Sequence, residues 1–185
     1  MKKTIQKHID KQDYVKVYIS DREGATITNF NGFILAQDTK HVVICTTNDF
    51  FYDGVSIIRK ADIDEIRRTE NEKFFQKILE KEGLKSEYLK RSALLKFELD
   101  TYPKMFETFL TSRIPVILEA KYGKDDRFII GPVAEFDTKK VKINFFNSRG
   151  EYDLKLVPCK YKEITYFTID SPYATTFYKY AKTVE

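Results

Sequence analysis

From Tyr14 to Ile19 the apolar side chains of Val15, Val17 and Ile19 alternate with Lys16 and Tyr18, the period of two that predicts a half-buried strand. Asp21-Arg22-Glu23-Gly24 is a turn signal. Ala25 to Gln37 then predicts a longer strand running through Asn31-Gly32, where a glycine allows a sharp bend or bulge. The Asp38-Thr39-Lys40 turn leads into a strand over His41 to Thr46. Asn48-Asp49 and Asp53-Gly54 bracket the next connection, and Val55 to Arg59 and Asp62 to Arg67 predict two more strands parted by Lys60-Ala61. Five short strands with tight turns predict a small closed barrel, because closure removes exposed strand edges.

The plan recurs. Asp-Thr-Lys-x-Val-x-Ile occurs at Asp38 to Ile44 and at Asp137 to Ile143, ninety-nine residues apart and six residues after a glycine each time. At that offset Gly32 falls on Gly131, Ile34 on Val133, Val42 on Val141 and Ile44 on Ile143, which predicts an internal duplication. Val116, Leu118 and Ala120 match Val15, Val17 and Ile19. Phe128 to Phe136 is the second bent strand, and Val141 to Phe146, Leu154 to Val157 and Tyr161 to Phe167 complete the set.

Helices flank each half. Ile5 and Ile9 before the first set match Phe106 and Leu110 before the second, at the i, i+4 spacing of one helical face. Thr101 with Pro103 marks a helix start, Glu70 to Lys81 carries Phe74, Phe75, Ile78 and Leu79, and Ser171-Pro172 opens a terminal helix with Phe177, Tyr178 and Ala181. Residues 82–100 space Leu84, Tyr88, Leu89, Leu94, Leu95 and Leu99 as an apolar helical connector, lacking the Gly, Ser and Pro of a coil spacer. The predicted organisation is residues 1–81, a connector over 82–100, and residues 101–185. The fold class is mainly β with flanking helices (α+β): two tandem five-stranded barrels, each with an N-terminal and a C-terminal helix.

Composition adds limits. The chain has 185 residues, 42% of them apolar and 32% charged, which suits one or two small globular domains. Fifteen Phe and twelve Tyr against no Trp assign much of the packing to these rings. A net charge of +4 permits nucleic-acid binding without demanding it. Cys45 and Cys159 lie in separate strands without CxxC spacing, which predicts two buried thiols and no metal site. The basic N-terminus lacks the apolar run of a signal peptide and no stretch is long enough to span a bilayer, so the expected location is cytoplasmic, with no membrane partner.

The motifs of the first half resemble those of the Sm-like superfamily. Gly32-Phe33-Ile34-Leu35 to Asp38, then Val42-Val43-Ile44, is similar to the first Sm motif; Ile58-Arg59-Lys60-Ala61-Asp62-Ile63 with Ile66 is similar to the second. The resemblance implies a short N-terminal helix before a bent five-stranded barrel of Sm-like or SH3-like type. It also implies RNA binding, mostly by six- or seven-membered rings, where the turn after the bent strand meets the turn between the last two strands. By position it nominates Asp38, His41 and Val42 on one turn and Arg59, Lys60 and Asp62 on the other. The family's asparagine is replaced by Val42 and its glycine after arginine by Lys60. In the second half the ungapped alignment sets Pro158 against Arg59.

Arg59 can grip phosphate bidentately or stack on a base; equally it can pair with Asp62 or Glu65 on a solvated face. His41 can stack on a base or be a satisfied strand residue. Lys139 and Lys140, with Lys142, make the second turn more basic, although Asp125, Asp126, Glu135 and Asp137 lie close in sequence. The aromatic stretch from Tyr166 to Tyr180 suits a stacking platform or a small core. No phosphate-cradling glycine loop, G-x-S-x-G, H-E-x-x-H or dinucleotide fingerprint occurs, so neither enzyme activity nor a cofactor is expected. The expectation is a non-catalytic protein that binds single-stranded RNA weakly through Asp38, His41, Arg59, Lys60, Asp62, Lys139 and Lys140. The alternative is a protein-interaction or assembly module, self-associating or taking a partner through edge strands, whose RNA site has decayed.

Overall fold

The computed structural model describes residues 2–20, 26–95, 97, 99–120 and 126–182. The Asp21 to Gly24 turn, the residue Ala25 predicted to start the second strand, and Asp125 lie outside them. The chain divides into two units, Met1–Lys96 and Phe97–Glu185.

In the first unit, helix α1 (Lys2–Lys11) buries Ile5 and His8. It stops at Gln12, whose φ of 48° lets the Asp13 N–H reach back to the His8 carbonyl at 3.0 Å, a left-handed C-terminal cap. Strands β1 (Tyr14–Ser20), β2 (Thr26–Gln37), β3 (His41–Asn48), β4 (Phe51–Arg59) and β5 (Ile63–Arg67) follow. Their order is β5-β1-β2-β3-β4, with every neighbouring pair antiparallel.

Gly32 makes β2 serve two ladders. It lies opposite Val15 of β1 and opposite Thr46 of β3, and the strand bends between them. The approach is so close that a Cβ built on Gly32 would stand 1.9 Å from the Cys45 carbonyl oxygen, and its φ of +155° is one that side-chain-bearing residues rarely adopt. A register shift between Ile34 and Ala36 adds a bulge, which tightens the local twist.

β3 and β4 extend further than the sequence pattern predicts. The ladder continues to Asn48 opposite Phe51, leaving Asp49-Phe50 as the turn, where a connection over 48–54 was expected. The extension follows from packing: Tyr52 is buried against Tyr88, with ring centroids 5.5 Å apart. Tyr14, Phe33, Cys45 and Tyr52 form an apolar cluster with Leu79 of α2 (Glu70–Lys81) and Tyr88 of α3 (Leu84–Ala93). Much of the predicted connector therefore belongs to the first unit's core. Val15, Val17 and Ile19 alternate with Tyr14, Lys16 and Tyr18 and are fully buried.

The second unit repeats the device with different fillings. Helix α4 (Tyr102–Thr111) is followed by β6 (Pro115–Ala120), β7 (Arg127–Phe136), β8 (Lys140–Ile143), β9 (Val157–Lys160), β10 (Tyr166–Ile169) and helix α5 (Pro172–Tyr180). Val116 lies opposite Gly131, as Val15 does opposite Gly32, and a Cβ on Gly131 would stand 2.1 Å from the Asn144 carbonyl oxygen. The bulge recurs between Val133 and Glu135. Aromatic rings fill the core: Phe106 of α4 lies 5.8 Å from Tyr161 in near-parallel stacking and 5.3 Å from Phe167.

Three predicted strands move, the one expected over Tyr161 to Phe167 giving way to a one-turn helix over Tyr161–Glu163 before β10 begins at Tyr166. β8 ends at Ile143, before Phe146, and the strand expected over Leu154 to Val157 begins only at Val157, with Leu154 94% exposed. Phe146, beyond the end of β8, still donates its N–H to the Ile130 carbonyl at 3.3 Å, and its ring packs under α5, stacked 6.1 Å from Phe177.

The expected pair of closed barrels is not formed. The strands lie in open antiparallel sheet, in the order β5-β1-β2-β3-β4 in the first unit and β10-β6-β7-β8-β9 in the second, and neither run of five joins its ends. Edges are blunted without closure: β5 has five residues with Asp64 and Glu65 exposed, and β9 has four residues including Pro158. The chain remains mainly β with helices. No helix among the described residues is long and apolar enough to cross a membrane.

Candidate nucleic-acid interface

The Asp38 carboxylate builds the turn between β2 and β3. Its Oδ1 accepts from the backbone N–H groups of Lys40, at 2.6 Å, and His41, while the Asp38 N–H donates to the His41 carbonyl at 3.1 Å. Burial raises the carboxyl's pKa, but the His41 and Lys40 amides and the His41 ring outweigh it and hold the group below its usual range. The one-turn helix Lys60–Asp62, between β4 and β5, docks directly beside this turn through the Lys60 N–H, 2.7 Å from the Lys40 carbonyl. His41 and Arg59 face each other across the β3–β4 ladder. The structure thus brings Asp38, His41, Arg59, Lys60 and Asp62 together.

Most of their polar capacity is spent within the site. Arg59 Nε donates to Asp62 Oδ2 at 2.7 Å. Lys60 Nζ donates to Gln37 Oε1 at 2.6 Å and to the Asp38 carbonyl, and burial holds its ammonium below its usual range against the opposing charge of Asp38. His41 is 4% exposed, with Nδ1 3.2 Å from Asp38 Oδ2, so it is a buried satisfied residue. Val42 is fully buried. Lys40 remains exposed at the tip.

In the second unit Asp137 plays the part of Asp38, accepting from the N–H groups of Lys139 at 2.7 Å and Lys140 at 3.0 Å. These amides and the neighbouring lysine charges hold its carboxyl below the usual range against a burial effect that raises it. The one-turn helix Tyr161–Glu163 docks through the Tyr161 N–H, 3.0 Å from the Lys139 carbonyl. The Tyr161 hydroxyl donates to the Asp137 carbonyl at 2.8 Å, the role Lys60 Nζ performs in the first unit, and burial pushes its pKa up to about 12.

This geometry corrects the ungapped alignment. Lys140 lies opposite Lys160 where His41 lies opposite Arg59, so the counterpart of Arg59 is Lys160, not Pro158. The connection between β8 and β9 is longer than its first-unit equivalent, and the offset changes from ninety-nine to one hundred and one across it. Lys160 and the exposed Lys162 were therefore hidden from the sequence comparison.

The second pair of turns gathers Lys139, Lys140, Lys160 and Lys162 around Asp137 and Glu163. Among the described residues neither Lys139 nor Lys140 has a side-chain ion-pair partner. Lys160 Nζ lies 3.6 Å from Glu163 Oε1 with its side chain 62% exposed, and Glu163 is already held by Arg127 at 2.8 Å. Lys142 pairs with Glu135 and belongs to a mixed-charge face. The arrangement can hold phosphate through its lysine heads without fixed base recognition.

The aromatic stretch before the C-terminus divides. Phe167 is fully buried and Phe177 stacks on Phe146, whereas Tyr173 and Tyr180 are 51% and 65% exposed. Both cysteines are buried thiols, and burial pushes Cys159 up to about 11. Among the described residues no group of three or more His, Cys, Asp and Glu side chains could hold a metal ion. No protein-family model, no curated protein and no solved structure matches the chain.

Proposed function

We propose that the protein is a non-catalytic, cytoplasmic binding protein of Sm-like descent that engages single-stranded RNA weakly through its paired turns. The observation that carries the proposal is the convergence of Lys139, Lys140, Lys160 and Lys162 on two turns docked through the main chain. In the first unit Arg59 and Lys60 supply a secondary contact, their heads already engaged by Asp62, Gln37 and Asp38. Lysines carried on hydrogen-bonded turns suit backbone phosphate, and the absence of a strong charge excess suits modest affinity.

The test is titration of fluorescent oligo-U, oligo-A and a duplex control at two salt concentrations, with light scattering of the protein alone. Micromolar single-strand binding that weakens with salt supports the proposal. No binding at low salt rejects it.

A second function is favoured by a specific observation. β5 pairs with β1 and presents exposed Asp64 and Glu65, while β9 pairs with β8 and ends at Lys160. Edges of opposite charge suit assembly of copies by strand pairing. A mass that rises with concentration and falls on Asp64→Lys with Glu65→Lys would support that role.

A further inference from the structure

β1 changes character along one face. Tyr14 belongs to the apolar cluster beneath α2, but Lys16, two residues on and on the same side, lies opposite Arg67 of β5 and Asn31 of β2. Asn31 in turn lies opposite Thr47 of β3. A polar row therefore crosses four strands directly beside an apolar one. Where it meets the first turn of α2, a cavity of about 220 Å³ opens, walled by the edges of Tyr14 and Phe75.

The charges in this row are unbalanced. Like charges directly opposite each other across two strands are destabilising. Arg67 is answered by Glu72 at 2.7 Å, but among the described residues Lys16 has no ion-pair partner. The Tyr18 ring, with Lys16 Nζ 5.3 Å and the Arg67 guanidinium 5.5 Å from its centroid, offsets the repulsion only in part. The remaining lining is built for hydrogen bonding. The carboxamides of Asn31 and Asn71 form no hydrogen bond among the described residues, and Asp49 stands at the mouth on the β3–β4 turn. Neither the packing of α2 nor the paired turns uses any of these groups.

We propose that this cavity takes one nucleotide: a phosphate at Lys16 and a base edge at Asn31, Asn71 and Asp49. The proposal rests on the single-stranded RNA function and adds to it a second contact point with base preference. Carboxamides match the paired donor and acceptor of a base edge, and a carboxylate accepts from an exocyclic amine. Adenine, cytosine and guanine carry such an amine and uracil does not, so Asp49 selects against uracil. An acidic peptide fits less well, because it offers no base edge to Asn31, Asn71 and Asp49.

The experiment is a titration of the ¹⁵N-labelled full chain with AMP, CMP, UMP, inorganic phosphate and an acidic peptide, following the side-chain amide resonances of Asn31 and Asn71. AMP and CMP are expected to shift both, with UMP about tenfold weaker, the size of one lost polar base contact. Lys16→Ala should weaken AMP and CMP without unfolding the chain, and Asp49→Asn should remove their advantage over UMP. Silence of both amides at millimolar nucleotide overturns the proposal. So do equal shifts from phosphate alone, which mark a bare anion site, or tighter binding of an acidic peptide. Lys139→Ala with Lys140→Ala leaves these shifts in place, so failure at the turns and failure at the cavity are read separately.

Discussion

Lys140 stands opposite Lys160 in the β8–β9 ladder, in the place that His41 and Arg59 hold in β3 and β4. A buried histidine and an ion-paired arginine in one unit become two ammonium groups in the other, on the same main-chain frame.

Replacing Lys139, Lys140, Lys160 and Lys162 together by alanine should reduce oligonucleotide affinity at low salt by tenfold or more and flatten its salt dependence, with roughly one unit of slope lost per phosphate contact removed. Arg59→Ala with Lys60→Ala should weaken binding less and destabilise the turn more, because Lys60 bonds Gln37 and the Asp38 carbonyl. Fluorescence anisotropy at two salt concentrations, alongside thermal melts, separates the effects. Equal loss from both sets would refute a dominant second unit.

Gly32→Ala should be among the most damaging single changes, costing about 3 kcal/mol or more through backbone strain and steric conflict with the Cys45 carbonyl. Gly83 also has positive φ, at +74°, but an added Cβ there meets nothing within 4 Å. Gly83→Ala should therefore cost only about 1 kcal/mol. Denaturant midpoints of the two variants isolate close approach from backbone conformation.

Acid should unfold the first unit partly through Glu72. Burial pushes this carboxyl up, but the Arg67 guanidinium, the Thr69 hydroxyl and two backbone amides more than reverse that and hold it at about 2. Because the folded value lies below the unfolded one, its contribution is complete above the ordinary carboxylate range and is lost as pH falls toward 2. Glu72→Gln should cost roughly 2 kcal/mol at neutral pH and nearly nothing near pH 2. A pH series of melts on both proteins checks the convergence.

Tyr161→Phe should cost about 1 kcal/mol by removing the bond to the Asp137 carbonyl. Tyr161→Ala should cost about 3 to 5 kcal/mol, since the ring also stacks on Phe106. Chemical denaturation of the second unit, followed by tyrosine fluorescence, measures both.

Local patterns were legible because they are local. Alternation over Val15, Val17 and Ile19, the glycine at each bend and the Asp-Thr-Lys turns all reappear in the structure at their expected places. Closure was not legible, since whether two strand ends meet depends on twist and bulges summed over the whole sheet. Lys160 was missed for a simpler reason. The β1 and β6 positions correspond at one hundred and one residues, the bent strands at ninety-nine, and the last strands at one hundred and one again, because connections change length more readily than strands. The Thr69-x-x-Glu72 spacing at the start of α2 is the sequence signature of the capping box that forms there.

In both turns an aspartate and the main chain hold the shape, through bonds that ask nothing of the side chains at positions 40, 139 and 140, while His41 adds a ring contact to Asp38 in the first. Such a turn is a mount whose fitting can be exchanged. A chain with two mounts can retune one while the other stays unchanged, so binding preference can drift, or be engineered, without reopening the folding problem.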